Sequence, residues 1–125
     1  MFQILVIAGG GALGAVARFG LSNGVYRWLG RDFPWGTLVV NALGSFLMGL
    51  LFVLLLERSL FGPEVRAAVL VGFLGAFTTF STFSIETLSL VEQGEPLRAL
   101  LNIAASVLIC LLACWGGIVS ARLLS

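Results

Sequence analysis

The sequence predicts an all-α membrane protein, and three observations lead to that fold class. The 125 residues are 59% hydrophobic. Only 10% are charged, against roughly 25% in soluble domains, so a water-soluble fold could not cover its surface. Four long stretches lack any charged residue: Met1–Ala17, Phe33–Leu56, Ala67–Ile85 and Ala99–Ala121. We therefore predict one domain, residues 1–125, with four transmembrane helices near 2–22, 33–56, 66–90 and 97–122.

Each uncharged stretch has the length of a membrane span. The four are 17, 24, 19 and 23 residues long, and about 17–25 apolar residues cross a hydrocarbon core as a helix. Polar connectors with turn residues, such as Gly62-Pro63, separate them. The first stretch lacks a basic segment and a clear cleavage site, so we interpret it as a retained span. Four spans place both termini on the same side of the membrane.

The first span carries a glycine-rich motif with two interpretations. Residues Gly9 to Gly14 fit the G-x-G-x-x-G fingerprint of dinucleotide-binding proteins. That fingerprint needs alternating strands and helices, whereas the next segment is a 24-residue uncharged stretch. Gly10 and Gly14 also form a G-x-x-x-G pair, which lets helices approach closely in lipid. We therefore predict helix packing, rather than nucleotide binding, at these glycines.

Among the charged residues that border the uncharged stretches, two have two possible roles each. Arg18 follows the first stretch; its long side chain could reach the membrane interface as an anchor, or its field could draw anions into an aqueous vestibule. Glu86 follows the third stretch and could either cap or pair with that span, or titrate in a proton-coupled transport cycle. The sequence leaves both alternatives open.

Polar residues recur every four positions on the second and fourth spans. They are Thr37, Asn41, Ser45 and Gly49 on one, and Asn102, Ser106, Cys110 and Cys114 on the other. Residues four apart share a helix face. Because lipid offers no water, such faces must pair with each other or line a wet path. The cysteines are interpreted as small residues of this face rather than a disulfide or metal pair, since the chain has no His.

The third span predicts its own interruption. Within Gly72–Ser84, two glycines precede five hydroxyl residues in seven positions. Ser and Thr offer the backbone competing hydrogen bonds and Gly adds conformational freedom, so we predict a helix break near Gly75–Thr79. Non-helical backbone at membrane depth is tolerated where it is buried or faces a cavity, and its freed carbonyls favour a cation.

Two aromatic residues would share one face of the helix beyond that break. Phe80 and Phe83 have ring edges that are electropositive, so they can attract an anion and still release it, as conduction requires. Asn41, Ser81 and Ser84 add neutral hydrogen-bond donors. Phenylalanines at this spacing also pack against lipid or a neighbouring helix, so periodicity alone leaves both interpretations open.

The arginines are distributed evenly between the two sides of the predicted bundle. Three lie on each side, Arg58, Arg66 and Arg122 with the termini and Arg27, Arg31 and Arg98 opposite, and Arg18 and the terminal amine add one charge to each side. An excess of Arg and Lys normally fixes orientation, so a balanced chain can insert either way and pair with an inverted copy. A single fixed orientation is the alternative. The net charge of +1 gives no sign of a nucleic-acid partner; the predicted surroundings are the lipid bilayer.

Three motifs together resemble the CrcB/Fluc fluoride channel family over essentially the whole chain. They are GFLGAFTTFSTFS at 72–84, GAVAR at 14–18 and WGTLVVN at 35–41. The resemblance implies a fluoride-specific ion channel that passively exports fluoride across the cell inner membrane and lowers its cytoplasmic toxicity. It also implies an antiparallel dual-topology homodimer with two pores and a structural sodium ion at its centre.

The resemblance also implies a role for each matching residue. The rings of Phe80 and Phe83 would line the pores, with Asn41, Ser81 and Ser84 nearby. The backbone carbonyls of Gly75 and Thr78 would bind sodium. Arg18 would lie in the vestibule, and Asn102 and Ser106 would continue a polar track. Family members often have a hydroxyl where this chain has Cys110, whose thiol donates weakly.

Two other functions compete with this interpretation. A small proton-coupled multidrug exporter is another four-span dimer, and it needs a membrane-embedded carboxylate, for which Glu86 is the one candidate. A non-transporting membrane subunit would use its polar faces to hold helices together, at about 0.6 kcal/mol per hydrogen bond. The sequence offers no nucleophile, paired carboxylate or metal-ligand cluster that would indicate an enzyme.

Overall fold

The structure is a computed structural model that describes residues 1–124, and every regular element in that range is a helix. Four helical stretches in this range are long and apolar enough to cross a membrane. They are Phe2–Leu29, Trp35–Glu57, Pro63–Glu92 and Pro96–Leu124. The prediction of an all-α, multi-pass membrane chain is therefore confirmed.

The first two spans end in different ways. Helix α1, Phe2–Leu29, runs beyond residue 22 and ends at Gly30, whose φ of 84° lies in the left-handed region that favours glycine. The Gly30 amide donates to the Tyr26 carbonyl oxygen at 2.8 Å. Helix α2, Trp35–Leu51, continues as a π-helical segment, π1, over Phe52–Glu57.

The third span consists of several helical segments in sequence. Helix α3 is Pro63–Arg66, a π-helical segment π2 is Ala67–Leu74, and helix α4 is Gly75–Phe77. Thr78 and Thr79 then have extended backbone, with ψ angles of 159° and 121°. Helix α5 begins at Phe80 and ends at Glu92. Gly75 itself is helical, with φ −60° and ψ −37°, so the departure from helix falls on the hydroxyl residues rather than on the glycine.

Helix α6, Pro96–Leu124, is the fourth span. It begins with proline, which suits the first turn of a helix because its missing N–H needs no partner there. Large apolar side chains cover the outer faces of the spans; Leu13 is 67% exposed and Leu111 is 65% exposed. Contiguous exposure of this kind requires a hydrocarbon environment.

Glycines set the closest contacts between spans. A Cβ atom added at Gly10 would meet the Ala68 carbonyl oxygen, and one at Gly14 would meet the Phe73 carbonyl oxygen. Helix α1 therefore packs backbone to backbone against π2, and the predicted packing role of Gly10 and Gly14 is confirmed. Helices α2 and α6 also approach each other closely because glycines, Gly49 and Gly117, lie at their contact.

Candidate functional site

A cavity of about 420 Å³ lies between α2, the Thr78–Thr79 interruption, α5 and α6. Polar lining residues are Asn41, Ser45, Thr78, Thr79 and Ser106, and apolar ones include Met48, Phe80, Phe83 and Val107. Cys110 and Cys114, both free thiols, complete the α6 side. The structure thus brings together the polar faces predicted on the second and fourth spans.

The two aromatic rings at the start of α5 stand together at this cavity. The ring centroids of Phe80 and Phe83 are 5.3 Å apart, with 42° between the ring planes, as expected of residues three apart on a helix. Phe83 is partly buried, whereas Phe80 is 78% exposed on the single chain. Because Phe80 lines the cavity and the outer surface alike, the cavity reaches the surface of the chain there.

Asn41 connects α2 to the non-helical backbone. Its side-chain Nδ2 donates to the carbonyl oxygen of Thr79 at 3.0 Å. In return, the Thr79 amide donates to Asn41 Oδ1 at 2.8 Å. One side chain therefore bonds both backbone groups of Thr79, the N-cap residue of α5.

The hydroxyl groups predicted to lie near the rings form hydrogen bonds with residues close to them in the chain. Thr79 Oγ1 caps α5 by accepting from the Thr82 amide at 3.2 Å, and it lies 3.3 Å from Ser81 Oγ. Ser84 Oγ donates to the Phe80 carbonyl oxygen at 2.9 Å. Ser81 and Ser84 are not among the residues that line the cavity of the single chain.

The two polar-track residues of α6 have different surroundings. Asn102 is 2% exposed, and its Nδ2 donates to Thr87 Oγ1 at 2.9 Å. Ser106 Oγ donates to Asn102 Oδ1 at 3.3 Å and also borders the cavity. Asn102 thus joins α6 to α5 behind the cavity, and Ser106 alone of the two faces into it.

Arg18 contacts the interrupted span directly. Its Nε donates to the Ala76 carbonyl oxygen at 3.0 Å, in a partly buried position. Ala76 lies in the last turn before the interruption, where helix carbonyls lack intrahelical partners. A cation near the C-terminal end of a helix is stabilising, so the guanidinium caps α4, a role that the sequence did not suggest.

The family resemblance assigns the carbonyl groups of Gly75 and Thr78 to sodium, and these two residues lie on either side of Ala76 in the chain. Thr78 donates twice to the Leu74 carbonyl oxygen, through its amide and its Oγ1, both at 3.1 Å. Among the hydrogen bonds that the structure describes outside the helices of residues 1–124, the Gly75 and Thr78 carbonyl oxygens accept none. Both oxygens therefore have lone pairs available.

A second polar cluster, which sequence reasoning missed, joins the first three spans. Tyr26 Oη donates to Glu86 Oε2 at 2.7 Å and lies 3.3 Å from Thr37 Oγ1. The other carboxylate oxygen, Glu86 Oε1, is buried and has no hydrogen-bond partner within residues 1–124. Tyr26 is the only tyrosine of the chain; its position beside the polar face of the second span could have been suspected, although its partner could not.

Four membrane-length helices, three of which line a partly polar cavity, define a multi-pass integral membrane protein. The family described as "CrcB-like protein, Camphor Resistance (CrcB)" matches residues 5–118 of this sequence. The chain belongs to that family, and the predicted membership is confirmed.

Proteins named fluoride-specific ion channel FluC are close relatives. The one from Methylococcus capsulatus is 61% identical over 98% of this chain, which spans about half, 54%, of that relative's length. The one from Magnetococcus marinus is 60% identical over 98% of this chain and 99% of its own length. The one from Hydrogenovibrio crunogenus is 56% identical over 94% of this chain and 89% of its own length.

Proposed function

We propose that this chain forms a fluoride-specific ion channel that passively exports fluoride across the cell inner membrane and so lowers cytoplasmic fluoride toxicity. One observation carries the proposal: the cavity bordered by Asn41, Phe80, Phe83 and Ser106 occurs in a chain that is 56% to 61% identical to channels of that name. Export of this kind needs no covalent chemistry, because the ion moves down its electrochemical gradient.

The lining of the cavity suits a small anion that must be released again. No Arg or Lys is among its lining residues, so an anion would meet electropositive ring edges and neutral donors rather than a tight ion pair. Asn41 uses one N–H of its carboxamide on Thr79 and keeps a second, and Ser106 adds a hydroxyl. Such groups replace part of the lost hydration without trapping the ion.

The exposed rim of the cavity supports an antiparallel homodimer of dual-topology chains. Phe80 is 78% exposed and Ser81 is exposed beside it, so a single chain leaves one side of this passage unlined. In the proposed dimer a second copy covers that side with its own rings, and the balanced arginines allow the two copies to insert in opposite orientations.

The interruption at Thr78–Thr79 supports a structural sodium ion. We assign the Gly75 and Thr78 carbonyl oxygens as its ligands, because hard cations bind oxygen atoms and these two accept none of the described hydrogen bonds outside helices. Freed carbonyls at a broken membrane helix bind sodium in the same manner elsewhere. Bound between two copies, the ion would hold the two interruptions together.

Fluoride release from liposomes tests the function. Purified chain is reconstituted in vesicles loaded with potassium fluoride, valinomycin is added, and a fluoride electrode follows the release. We expect rapid fluoride release and little chloride release from matched chloride-loaded vesicles. Equal release of both ions contradicts fluoride specificity, and no release from folded dimers favours the non-transporting subunit.

Vesicles that contain the purified chain also test the multidrug exporter, because one carboxylate oxygen of Glu86 is buried without a hydrogen-bond partner within residues 1–124. A proton gradient should drive no accumulation of a lipophilic cation such as ethidium. Uptake that Glu86→Gln abolishes would replace the channel by the exporter.

Topology is tested by labelling one connector from each side of the membrane. Gly62→Cys is introduced after Cys110 and Cys114 are replaced by Ser, and a membrane-impermeant maleimide is applied to intact cells. Dual topology predicts that about half of the chains react before lysis and the remainder after it. Labelling confined to one side would contradict the antiparallel dimer.

A further inference from the structure

At the interruption, the backbone amide of Thr79 loses its helical hydrogen-bond partner. A ψ of 159° at Thr78 turns the chain away from the helix axis, so the Thr79 amide is not directed at the carbonyl of Gly75, its partner in a continuous α-helix. The Thr79 carbonyl belongs to the N-cap residue of α5, and an N-cap carbonyl accepts the first bond of its helix. In a membrane interior the freed Thr79 amide must find another partner.

Asn41 provides that partner and also bonds the Thr79 carbonyl. Its carboxamide has the same donor and acceptor as a peptide group, and the two bonds to Thr79 are 3.0 Å and 2.8 Å long. The next contact on the same side of α2 is at Gly44, where an added Cβ would meet Thr78 Cγ2. Helix α2 therefore holds both extended residues, one by hydrogen bonds and one by close packing.

The position of Thr79 fixes the start of α5. Thr79 is the N-cap residue, and its Oγ1 accepts the Thr82 amide at 3.2 Å. Phe80 follows immediately, so any rotation of Thr79 moves the Phe80 ring. We propose that Asn41 is a positioning residue, which clamps the Thr79 backbone and thereby sets the position of Phe80 at the cavity. The inference rests on the proposed channel function, in which the Phe80 ring lines the pore.

The sequence allows this clamp to be observed directly by NMR. Thr78-Thr79 is the only Thr-Thr pair in the chain, so the protein labelled with carbonyl-¹³C, ¹⁵N-threonine gives one carbonyl–amide correlation, which reports the Thr79 amide. A second sample with ¹³C-carbonyl threonine and ¹⁵N-phenylalanine gives two correlations, Thr79-Phe80 and Thr82-Phe83. The second pair lies within α5 and serves as the internal reference.

Two substitutions at Asn41 separate the two hydrogen bonds. Asn41→Leu removes both, and we expect the exchange protection of the Thr79 amide to fall about tenfold or more. Asn41→Asp keeps an acceptor for the amide and loses the donor, so the Thr79 carbonyl signal should shift while the amide stays protected. Ser45→Ala, one turn along the same face, is the matched control and should leave both Thr79 signals in place.

Unchanged Thr79 signals in Asn41→Leu would overturn the proposal. If Asn41→Leu does not fold, Asn41→Asp tests the proposal instead. A Thr79 carbonyl signal in that variant identical to the signal of the unmodified chain would also contradict the proposal. These NMR measurements do not depend on transport. Vesicles that release no fluoride would therefore contradict the channel function, whereas the contact between Asn41 and Thr79 is tested by the NMR signals alone.

The link to Phe80 is tested by comparing Asn41→Ser with Asn41→Leu in the fluoride-release assay. Serine retains a hydroxyl donor at the cavity but is too short to bridge both backbone atoms of Thr79. A positioning role predicts equally slow release from the two variants. Faster release from the Ser variant would show that a donor to the anion, rather than the clamp, is what Asn41 contributes.

Discussion

Helices α2 and α6 lie side by side over two regions that are packed in opposite ways. Near Gly49 and Gly117 there is no space for a methyl group, since added Cβ atoms would meet the carbonyl oxygens of Cys114 and Phe46. Toward Asn41 and Ser45 the same two helices border a cavity of about 420 Å³. We call the first region the glycine seam and the second the polar cavity.

The difference shows what decides helix spacing in lipid. Apolar side chains gain little by leaving a hydrocarbon solvent for another apolar surface, so close approach depends on small residues and on hydrogen bonds. Where glycines face the partner helix, the backbones touch. Where amide, hydroxyl and thiol groups face it, they keep space that an ion or water can occupy.

The largest effect is expected at the glycine seam, from Gly117→Ala. The added methyl group would overlap the Phe46 carbonyl, and overpacking of this kind costs about 1–3 kcal/mol. Gly116→Ala is the matched control, because an added Cβ there meets nothing within 4 Å. Thermal unfolding of both variants in detergent should show a clear loss for Gly117→Ala alone; equal melting temperatures would contradict the seam.

The next effect concerns the polar cavity and is measured as transport. Phe80→Ile removes an electropositive ring edge, and a loss of about 1.4 kcal/mol would slow fluoride release about tenfold. Phe2→Ile is the control, since Phe2 is 63% exposed on α1 and does not line the cavity. Fluoride release at the normal rate from the Phe80 variant would show that this ring does not line the pore.

A smaller effect is expected behind the cavity, from Asn102→Leu. The change breaks the bonds to Thr87 and Ser106, and hydrogen bonds between membrane helices contribute on average less than about 1 kcal/mol each. We expect an unfolding free energy lower by about 1 kcal/mol. Asn23→Leu is the control. The Asn23 side chain accepts a bond from Arg31 at 3.5 Å in an exposed position, so its removal should lower the unfolding free energy less.

The smallest effect is expected at the outer end of the glycine seam, where Arg122 pairs with Glu57. The two charges are 3.2 Å apart, and both side chains are about half exposed, so solvent screens the pair. Glu57→Gln should lower the unfolding free energy by no more than about 0.5 kcal/mol. A larger loss, measured by the same melting experiment at low and at high salt, would mean that this ion pair, as well as the glycines, holds the seam closed.

Particular residues show how far the sequence could be interpreted. The uncharged stretches gave four helices, and the spacing of Gly10 and Gly14 gave their packing role, because both depend on local composition and period. The four-residue recurrence of polar residues on the second and fourth spans indicated two polar faces, but it did not show that Asn41 and Ser106 border the same cavity. The bond of Arg18 to Ala76 and the pair of Tyr26 with Glu86 join residues far apart in the chain, and no local pattern encodes them.

The sequence by itself determined that this chain crosses a membrane four times, because hydrophobic length and residue period are local properties, and its motifs at 14–18, 35–41 and 72–84 indicated its family. Only the tertiary structure decided which polar groups satisfy one another. It joined Asn41 to Thr79 and Asn102 to Thr87, and it left Phe80 exposed beside the cavity. Those pairings follow from how the spans pack, since each helix satisfies its own backbone but must find partners for its polar side chains on its neighbours.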